Sequence, residues 1–305
     1  MDLKQLEYFV QVAELGSFTR ASEVLRVAQP ALSRQVRALE VELRLNLFHR
    51  NGRGVALTEP GQRLLAHGRG ILQQVQRARV DLEEARGAPV GRLALGVPPT
   101  VGRLLTSSLV QAFREQLPRA TLTMVEGLST YVLEWLAQGR IDMAVVYNAA
   151  PSAALDLVPV LEQPLMLVSR RSGRPGKPAS PSKAVPLRDV AARELVIPSR
   201  PHAIRMRVET ALAAAGLRPR VALEIESVPA ILDLVEQGGL AAVLTRDALV
   251  GREATLLAQP IRAGRALLVT SLWIATSAQR PRGPLLERGA ALVQAQLKRL
   301  ATVPA

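Results

Sequence analysis

Two short amphipathic segments with a tight gap between them constrain this chain more than any other feature. Ser17–Leu25 leads, three residues later, into a second stretch that opens on Gln29-Pro30-Ala31 and runs to about Leu43. Ser17 is a natural N-cap. Pro30 falls in a first helical turn, where its missing N–H would be unpaired anyway. In the second stretch Leu32, Val36, Leu39 and Leu43 recur at spacings of four, three and four and point inward. At about 100° per residue, Pro30, Arg34 and Arg37 fall opposite that stripe, with Ser33 on its flank and Gln29 at the tip. Ahead of both, residues 3–15 place Leu3, Leu6, Phe9, Val10 and Ala13 on one helical face. Asn51-Gly52 between Leu47–Arg50 and Val55–Leu57 is a hairpin signal. Residues 1–58 are therefore expected to form a winged helix-turn-helix, with the helix-turn-helix at about 18–37. Such a module fits the major groove of double-stranded DNA.

Thr58 can cap a long helix over about Glu59–Arg86, with Pro60 in its first turn. Leu64, Gly68, Ile71, Val75, Ala78 and Leu82 follow the alternating spacing of a coiled-coil seam, with Leu65 and Leu72 as a second stripe beside it. A lone helix cannot bury that seam, so a second copy of the chain or the chain's own domain must cover it. Gly68 and Gly70 count against the helix by about 1 kcal/mol each relative to Ala.

Gly87-Ala88-Pro89-Val90-Gly91 breaks the helix and reads as a hinge. Strand and helix patterns then alternate: Leu93–Val97, about Thr100–Leu117, Leu122–Val125, Tyr131–Gln138 and Ile141–Val146. After a Pro/Arg-rich connector near 171–186 come Leu195–Ile197, Ile204–Ala215, Val221–Ile225, Pro229–Gln237 and Ala241–Leu244. This alternation predicts parallel sheets with helices on both faces. Its length, with a polar break in the middle, suits two small α/β lobes. A last helix, about Pro284–Leu300, is expected to pack back on the first lobe.

The net charge of +13 is the usual footprint of nucleic-acid binding, but its location weakens that inference. Residues 1–58 have a net charge of only +2, whereas residues 170–207 have +8. The connector can be a solvated basic loop, a rim that draws an anionic ligand, or an auxiliary DNA contact. The chain has no cysteine, which removes disulfides, thiol nucleophiles and thiolate metal sites together. No apolar run is long enough to span a bilayer. Charges at helical spacing from Met1 to Glu7 do not resemble a signal peptide. A cytoplasmic location is expected.

Enzymatic chemistry finds little support. His49, His67 and His202 match no metal spacing. Gly127-Leu128-Ser129-Thr130-Tyr131 lacks the final glycine of a nucleophile elbow. Gly173–Pro178 is too short for a phosphate-binding loop. Glu224 and Glu226 share one strand face and can be a carboxylate pair or a solvated edge. Aromatic residues make up 3% of the chain, too few for base-stacking platforms. No catalytic residue, metal or cofactor is expected.

Polar loops do stand between strand ends and helix starts. In open α/β sheets, ligands bind at the carboxyl ends of strands, where helix N-termini favour anions. Thr100 and Ser129 there can be N-caps or ligand contacts. Ser199, Arg200 and His202, between prolines, are candidates for ligand contact, and Tyr147 and Thr245 at strand ends are further candidates for the cleft wall.

Leu6-Glu7-Tyr8-Phe9 through Leu47-Phe48-His49-Arg50, with Ala28–Ser33 and Gln35–Glu40 between them, resembles the LysR-type transcriptional regulators. Leu57-Thr58-Glu59-Pro60-Gly61 resembles the start of that family's dimerising helix, and the resemblance runs over the whole chain. Val125–Ser129, Gly139–Asp142, Tyr147-Asn148 and Pro198–His202 look like the subgroup of nitrogen assimilation control regulators. One departure is Arg44, where the family usually has the glycine that ends the recognition helix.

The resemblance implies an α/β fold overall: an all-α winged helix-turn-helix, a linker helix at 59–87, and a two-lobed effector domain at 88–305 similar to periplasmic binding proteins. Lobe I is expected at about 91–164 and 267–300, and lobe II at about 165–266. It also implies a non-enzymatic homo-oligomer, commonly a dimer of dimers joined through Leu64, Ile71, Val75 and Leu82. Gln29, Pro30, Ser33, Arg34 and Arg37, with Arg50 and Arg53 on the wing, are expected on an inverted repeat in a promoter. A small-molecule effector, expected to be anionic, would sit between the lobes, and RNA polymerase is a further candidate partner.

Overall fold

The structure is a computed structural model that describes residues 1–51, 54–84, 90–171 and 183–302, leaving aside the side chains of residues 50, 51, 54, 77, 79–84, 301 and 302. Gly52, Arg53, the hinge glycine Gly87 and most of the basic connector lie outside the described residues. The chain divides into two units, Met1–Val90 with Ala137–Ile141, and Gly91–Leu136 with Asp142–Ala305.

The first unit opens with α1 (Leu3–Leu15), α2 (Phe18–Leu25) and α3 (Gln29–Leu43). Local chemistry sets each boundary. Asp2 and Gln5 form a capping box, each side chain accepting the other's backbone N–H at 2.7 and 3.0 Å. Ser17 Oγ accepts the Arg20 amide at the start of α2. Helix α3 stops where Arg44 turns left-handed at φ 56°, so a non-glycine residue terminates it at the usual cost of that conformation. A short antiparallel wing follows, β1 (Phe48–Asn51) with β2 (Gly54–Leu57), pairing Phe48 opposite Leu57. Leu6, Phe9, Leu32, Val36 and Leu39 are buried at the centre. The Phe9 and Phe18 rings lie 5.3 and 5.8 Å from Phe48 and tie both helices to the wing. The long helix α4 (Glu59–Glu84) begins on Thr58, whose hydroxyl accepts the Gly61 amide at 3.1 Å.

The second unit begins β3 (Gly91–Val97), α5 (Pro99–Gln116), β4 (Ala120–Glu126), α6 (Ser129–Ala137) and β5 (Met143–Tyr147). There follow β6 (Leu155–Arg170), β7 (Val185–Pro186), α7 (Leu187–Ala191), β8 (Glu194–Ile197), α8 (Ala203–Ala214), β9 (Arg220–Glu224), α9 (Val228–Gln237) and β10 (Ala241–Thr245). A 3-10 turn (Arg246–Leu249), β11 (Leu256–Ala263), β12 (Ala266–Leu267), β13 (Val269–Ser277) and α10 (Pro284–Thr302) complete it. The strands run in the order β4-β3-β5-β13-β6-β10-β8-β9, with β11 also on β6.

The sheet is not the purely parallel one that the strand–helix alternation predicts. β3 is parallel to β4 and β5, and β8 to β9 and β10, but β6 is antiparallel to β10, β11 and β13, and β13 to β5. Prolines hid β6 from a pattern search, because proline cannot donate to a ladder. Pro159 sits opposite Trp273, where the β6–β13 register shifts, and Pro164 is the last β6 residue paired with β13.

β6 then changes partners. Residues up to Pro164 pair with β13, and Leu165 onward pairs with β10 and β11. Beside that point, Leu165 N donates to Leu268 O, and Leu268 N to Ile261 O, each at 2.8 Å. These two crossings separate two lobes with their own cores. One core gathers Leu95, Leu105, Leu109 and Met143 with Leu292, Val293 and Leu297 of α10. The other lobe packs Leu167, Leu195, Val208 and Leu212 on one face of its sheet and Val168, Val196, Ile231 and Val235 on the other.

Candidate functional site

Helix α3 presents the face expected from its spacing. Leu32, Val36 and Leu39 are fully buried, while Gln29, Pro30, Arg34 and Arg37 are exposed and Ser33 is half-buried. Ala28, which precedes the helix, provides no side-chain cap, so the first-turn amides have no side-chain partner. The Arg50 side chain and all of Arg53 lie outside what is described. Glu40, which the sequence reading missed, is 5% exposed, and its carboxylate accepts the Leu47 and Phe48 amides at 2.8 and 3.3 Å.

The α4 seam divides between two uses. Leu64, Leu65 and Leu72 pack against the core of their own domain. A Cβ on Gly68 would stand 3.0 Å from Val10 Cγ2 and 3.1 Å from Leu6 Cδ1, so that glycine permits the close approach of α4 to α1. Leu64 is half-buried against its own domain's core. Ile71 is 38% exposed and Val75 half-buried, and the side chain of Leu82 is outside the described set.

Three of the candidate ligand residues, Ser129, Tyr147 and Thr245, meet at the lobe junction through Tyr147. Ser129, first residue of α6, accepts the Tyr147 amide on its hydroxyl at 3.1 Å. The Tyr147 phenol is held neutral, its pKa raised by burial and then by the nearby Asp247 carboxylate, with Thr245 pulling weakly the other way. Thr245 is 1% exposed, and its hydroxyl lies in hydrogen-bond contact with the Tyr147 phenol. His202 precedes α8 without capping it, and the next residue, Ala203, packs against the core of the other lobe. Burial lowers the His202 pKa to about 4, so the ring is neutral at pH 7 and its enclosed Nδ1 lacks a partner. Thr100, the second residue of α5, is half-buried behind Pro98, which likewise offers no side-chain cap. Ser199 is half-buried on its loop.

Arg200 is engaged by a side chain of α8. Its Nε and Nη2 both donate to Glu209 Oε2, at 3.1 and 2.9 Å, and the side chain is 64% exposed. The buried arginine of this segment is Arg205, 7% exposed and bonded to Glu209, Glu224 and the Pro198 carbonyl. That bond first of all holds the Glu224 carboxyl below its ordinary range, so Glu224 serves an ion pair with Arg205 instead of a carboxylate pair with Glu226.

Several polar groups at the junction escaped the sequence reading. Arg103 on α5 donates through Nη2 to the carbonyls of Asp247 and Ala248 across the lobes, at 3.1 and 3.2 Å. Asp247 has its pKa raised by burial, against the opposing pull of a Gln163 hydrogen bond. Asn148, left-handed at φ 50°, accepts from Thr270 and Ser271 on Oδ1 while its enclosed Nδ2 has no partner. No periodicity marks these residues, because they meet only where the strands cross between lobes. Among the described residues, no group of three His, Cys, Asp or Glu could hold a metal ion, and no helix is long and apolar enough to cross a membrane.

Comparison with known proteins matches this architecture in both parts. Residues 3–62 match the bacterial regulatory helix-turn-helix protein family of lysR type, and residues 86–298 match the LysR substrate binding domain. The nitrogen assimilation regulatory protein nac of Klebsiella aerogenes is 35% identical over 249 residues, 81% of this chain and 79% of that one. The crystal structure of full-length CbnR complexed with its target DNA superposes with a TM-score of 0.71 at 26% identity, covering 97% of this chain and 100% of that one. A full-length OxyR variant from Pseudomonas aeruginosa shares the fold at 22% identity, with a TM-score of 0.72 over 98% of this chain and 95% of that one. The chain belongs to the LysR family of bacterial helix-turn-helix transcriptional regulators, DNA-binding proteins with an effector-binding domain and not enzymes, and within that family it resembles the nitrogen assimilation regulators.

Proposed function

We propose that a small anion, a carboxylate in the first instance, binds between the two lobes and sets the regulatory output of this protein. One observation carries the reading: enclosed polar atoms without partners meet uncapped helix starts at the lobe junction. Asn148 Nδ2 and His202 Nδ1 each lack a hydrogen bond, and leaving such groups unpaired costs about 1–3 kcal/mol apiece. Helices α5 and α8 begin on opposite lobes with no side-chain cap, and free N–H groups with a positive dipole end favour an anion. Thr100, Ser129, Tyr147, Ser199 and Thr245 would line the ligand. His202 would contribute a hydrogen bond, not a charge. Arg200 would act only by exchanging Glu209 for the ligand.

In this reading the protein works in the cytoplasm as a homo-oligomer, a dimer of dimers, with Leu64, Ile71, Val75 and Leu82 of α4 meeting a second copy. Gln29, Pro30, Ser33, Arg34 and Arg37 enter the major groove of an inverted repeat, and Arg50 and Arg53 touch phosphate or minor groove. Domains at 1–58, 59–87 and 88–305 serve reading, pairing and sensing. The ligand biases the angle between lobes only as far as it binds one arrangement better than the other. RNA polymerase is the further partner this model needs for activation.

A thermal-shift screen of the purified full-length chain against small mono- and dicarboxylates, their amides and their alcohols tests the ligand class. Carboxylates are expected to raise the melting temperature where the matched amides do not. Stabilisation by the amides or alcohols alone would overturn the anionic reading.

A further inference from the structure

We propose that Glu40 is a positioning residue for DNA readout, orienting Arg37 on the reading face while pinning the wing to the recognition helix. The proposal rests on the reading of α3 given above. Glu40 lies three residues after Arg37, and its Oε2 stands 3.4 Å from Arg37 Nη1. Its other oxygen, Oε1, accepts both the Leu47 and the Phe48 amides, where the chain returns from α3 into β1. Burying a carboxylate this deeply is costly unless it is paired and hydrogen-bonded. Two backbone amides alone need only an acceptor, which a neutral amide side chain also supplies. The charge is matched instead by Arg37, whose side chain is 60% exposed.

The segment caught by Glu40 is held from its far side as well. Thr58 Oγ1 donates to Asn46 O at 2.7 Å, and Thr58 N donates to Leu47 O at 3.0 Å. Gly61 in the first turn of α4 lies so close that a Cβ there would stand 2.1 Å from Leu47 O. Residues 46–48 are therefore clamped between the reading helix and the start of α4, and the carboxylate that grips them also faces Arg37. A guanidinium reads guanine through two parallel N–H bonds, which demands a fixed fork. Left unrestrained, the same side chain meets phosphate oxygens at any sequence. Glu40 holds one edge of the fork and so favours base readout over indiscriminate phosphate contact.

Glu40→Gln in the full-length chain separates the two roles, because it keeps an acceptor for both amides and removes the charge facing Arg37. The probes are the duplex that the native protein enriches from a random pool and a shuffled duplex of the same composition. Discrimination between them is expected to fall about threefold to tenfold, with the urea midpoint near native. The salt dependence on the shuffled duplex should steepen by roughly one phosphate contact. In an Arg37→Ala background the same substitution should change discrimination no further. Arg37→Lys, which leaves the buried carboxylate and its amide bonds untouched, should reproduce the loss and gives a readout independent of folding. An equal loss from Glu40→Gln with and without Arg37, or unchanged discrimination, would overturn the proposal. If Arg37→Ala itself left discrimination intact, the assignment of the reading face would fall, and the proposal with it.

Discussion

The recognition unit and the lobe junction treat buried polar groups in opposite ways. In the first unit, the buried Ser22, Glu40 and Thr58 all make short bonds: Ser22 Oγ to Thr19 O, Glu40 to the wing amides, Thr58 to Asn46 and Gly61. Its Gln29, Pro30, Arg34 and Arg37 side chains are exposed. At the junction, Asn148 and His202 keep enclosed atoms unpaired, and Arg103 spans the lobes by donating to the backbone carbonyls of Asp247 and Ala248. Satisfied polar networks rigidify a structure, whereas unsatisfied ones cost free energy until a partner arrives. A rigid reader and an incomplete sensor are what a ligand-responsive switch needs in its two halves.

The sharpest way to break this contrast is to remove the frame of the reader. Glu40→Ala strands two buried amides and should cost about 2–4 kcal/mol in urea unfolding of the first unit. A change within 0.5 kcal/mol would mean that the wing does not depend on Glu40. Next in size, Arg34→Ala should lose about 1–3 kcal/mol of operator binding and relax base preference, with no change in melting temperature. Retained preference in a selection from random duplexes would remove Arg34 from the reading face.

Acid probes the junction directly. Burial keeps the folded-state pKa of His202 near 4, below its ordinary value of 6.5. Between those values the unfolded chain binds more protons than the folded one. The contribution of His202 is therefore full above pH 6.5 and is lost as the pH falls toward 4, by up to about 1.4 kcal/mol per pH unit. Urea midpoints at pH 7 and 5 should show this fall in the native protein and a smaller one in His202→Gln. Equal falls would place the His202 ring in water. The smallest expected effect is the most telling: Thr245→Val removes a buried hydroxyl bonded to the Tyr147 phenol, so ligand-free stability should fall by no more than about 1.5 kcal/mol. The carboxylate-induced thermal shift should shrink in the same variant. A larger destabilisation would show that the hydroxyl is committed to the ligand-free fold.

What could be read in advance followed from local rules. The inward stripe of α3, the Ser17 and Thr58 caps and the wing hairpin depend on residues within a few positions of one another, and all stand where spacing put them. The helices after β3, β4, β8 and β9 were legible for the same reason, within one or two residues at their ends. Arg44 was the visible anomaly, and the chain adopts the left-handed turn there without glycine.

Tertiary structure alone decided the rest. β6 and β13 are antiparallel strands whose partners lie about a hundred residues apart, and prolines blur the pattern of β6. Leu64 fits a partner seam as well as its own core, and only the approach of α1 at Gly68 shows that it packs on its own domain. Arg200 looks like a free cation until Glu209, nine residues on, folds back to it through the turn of α8. Sequence spacing determines which face of an element a residue occupies, because backbone geometry repeats every few residues. Which polar group meets which, and that Asn148 and His202 keep enclosed atoms without a partner, depends on where two lobes cross, and no local period encodes that.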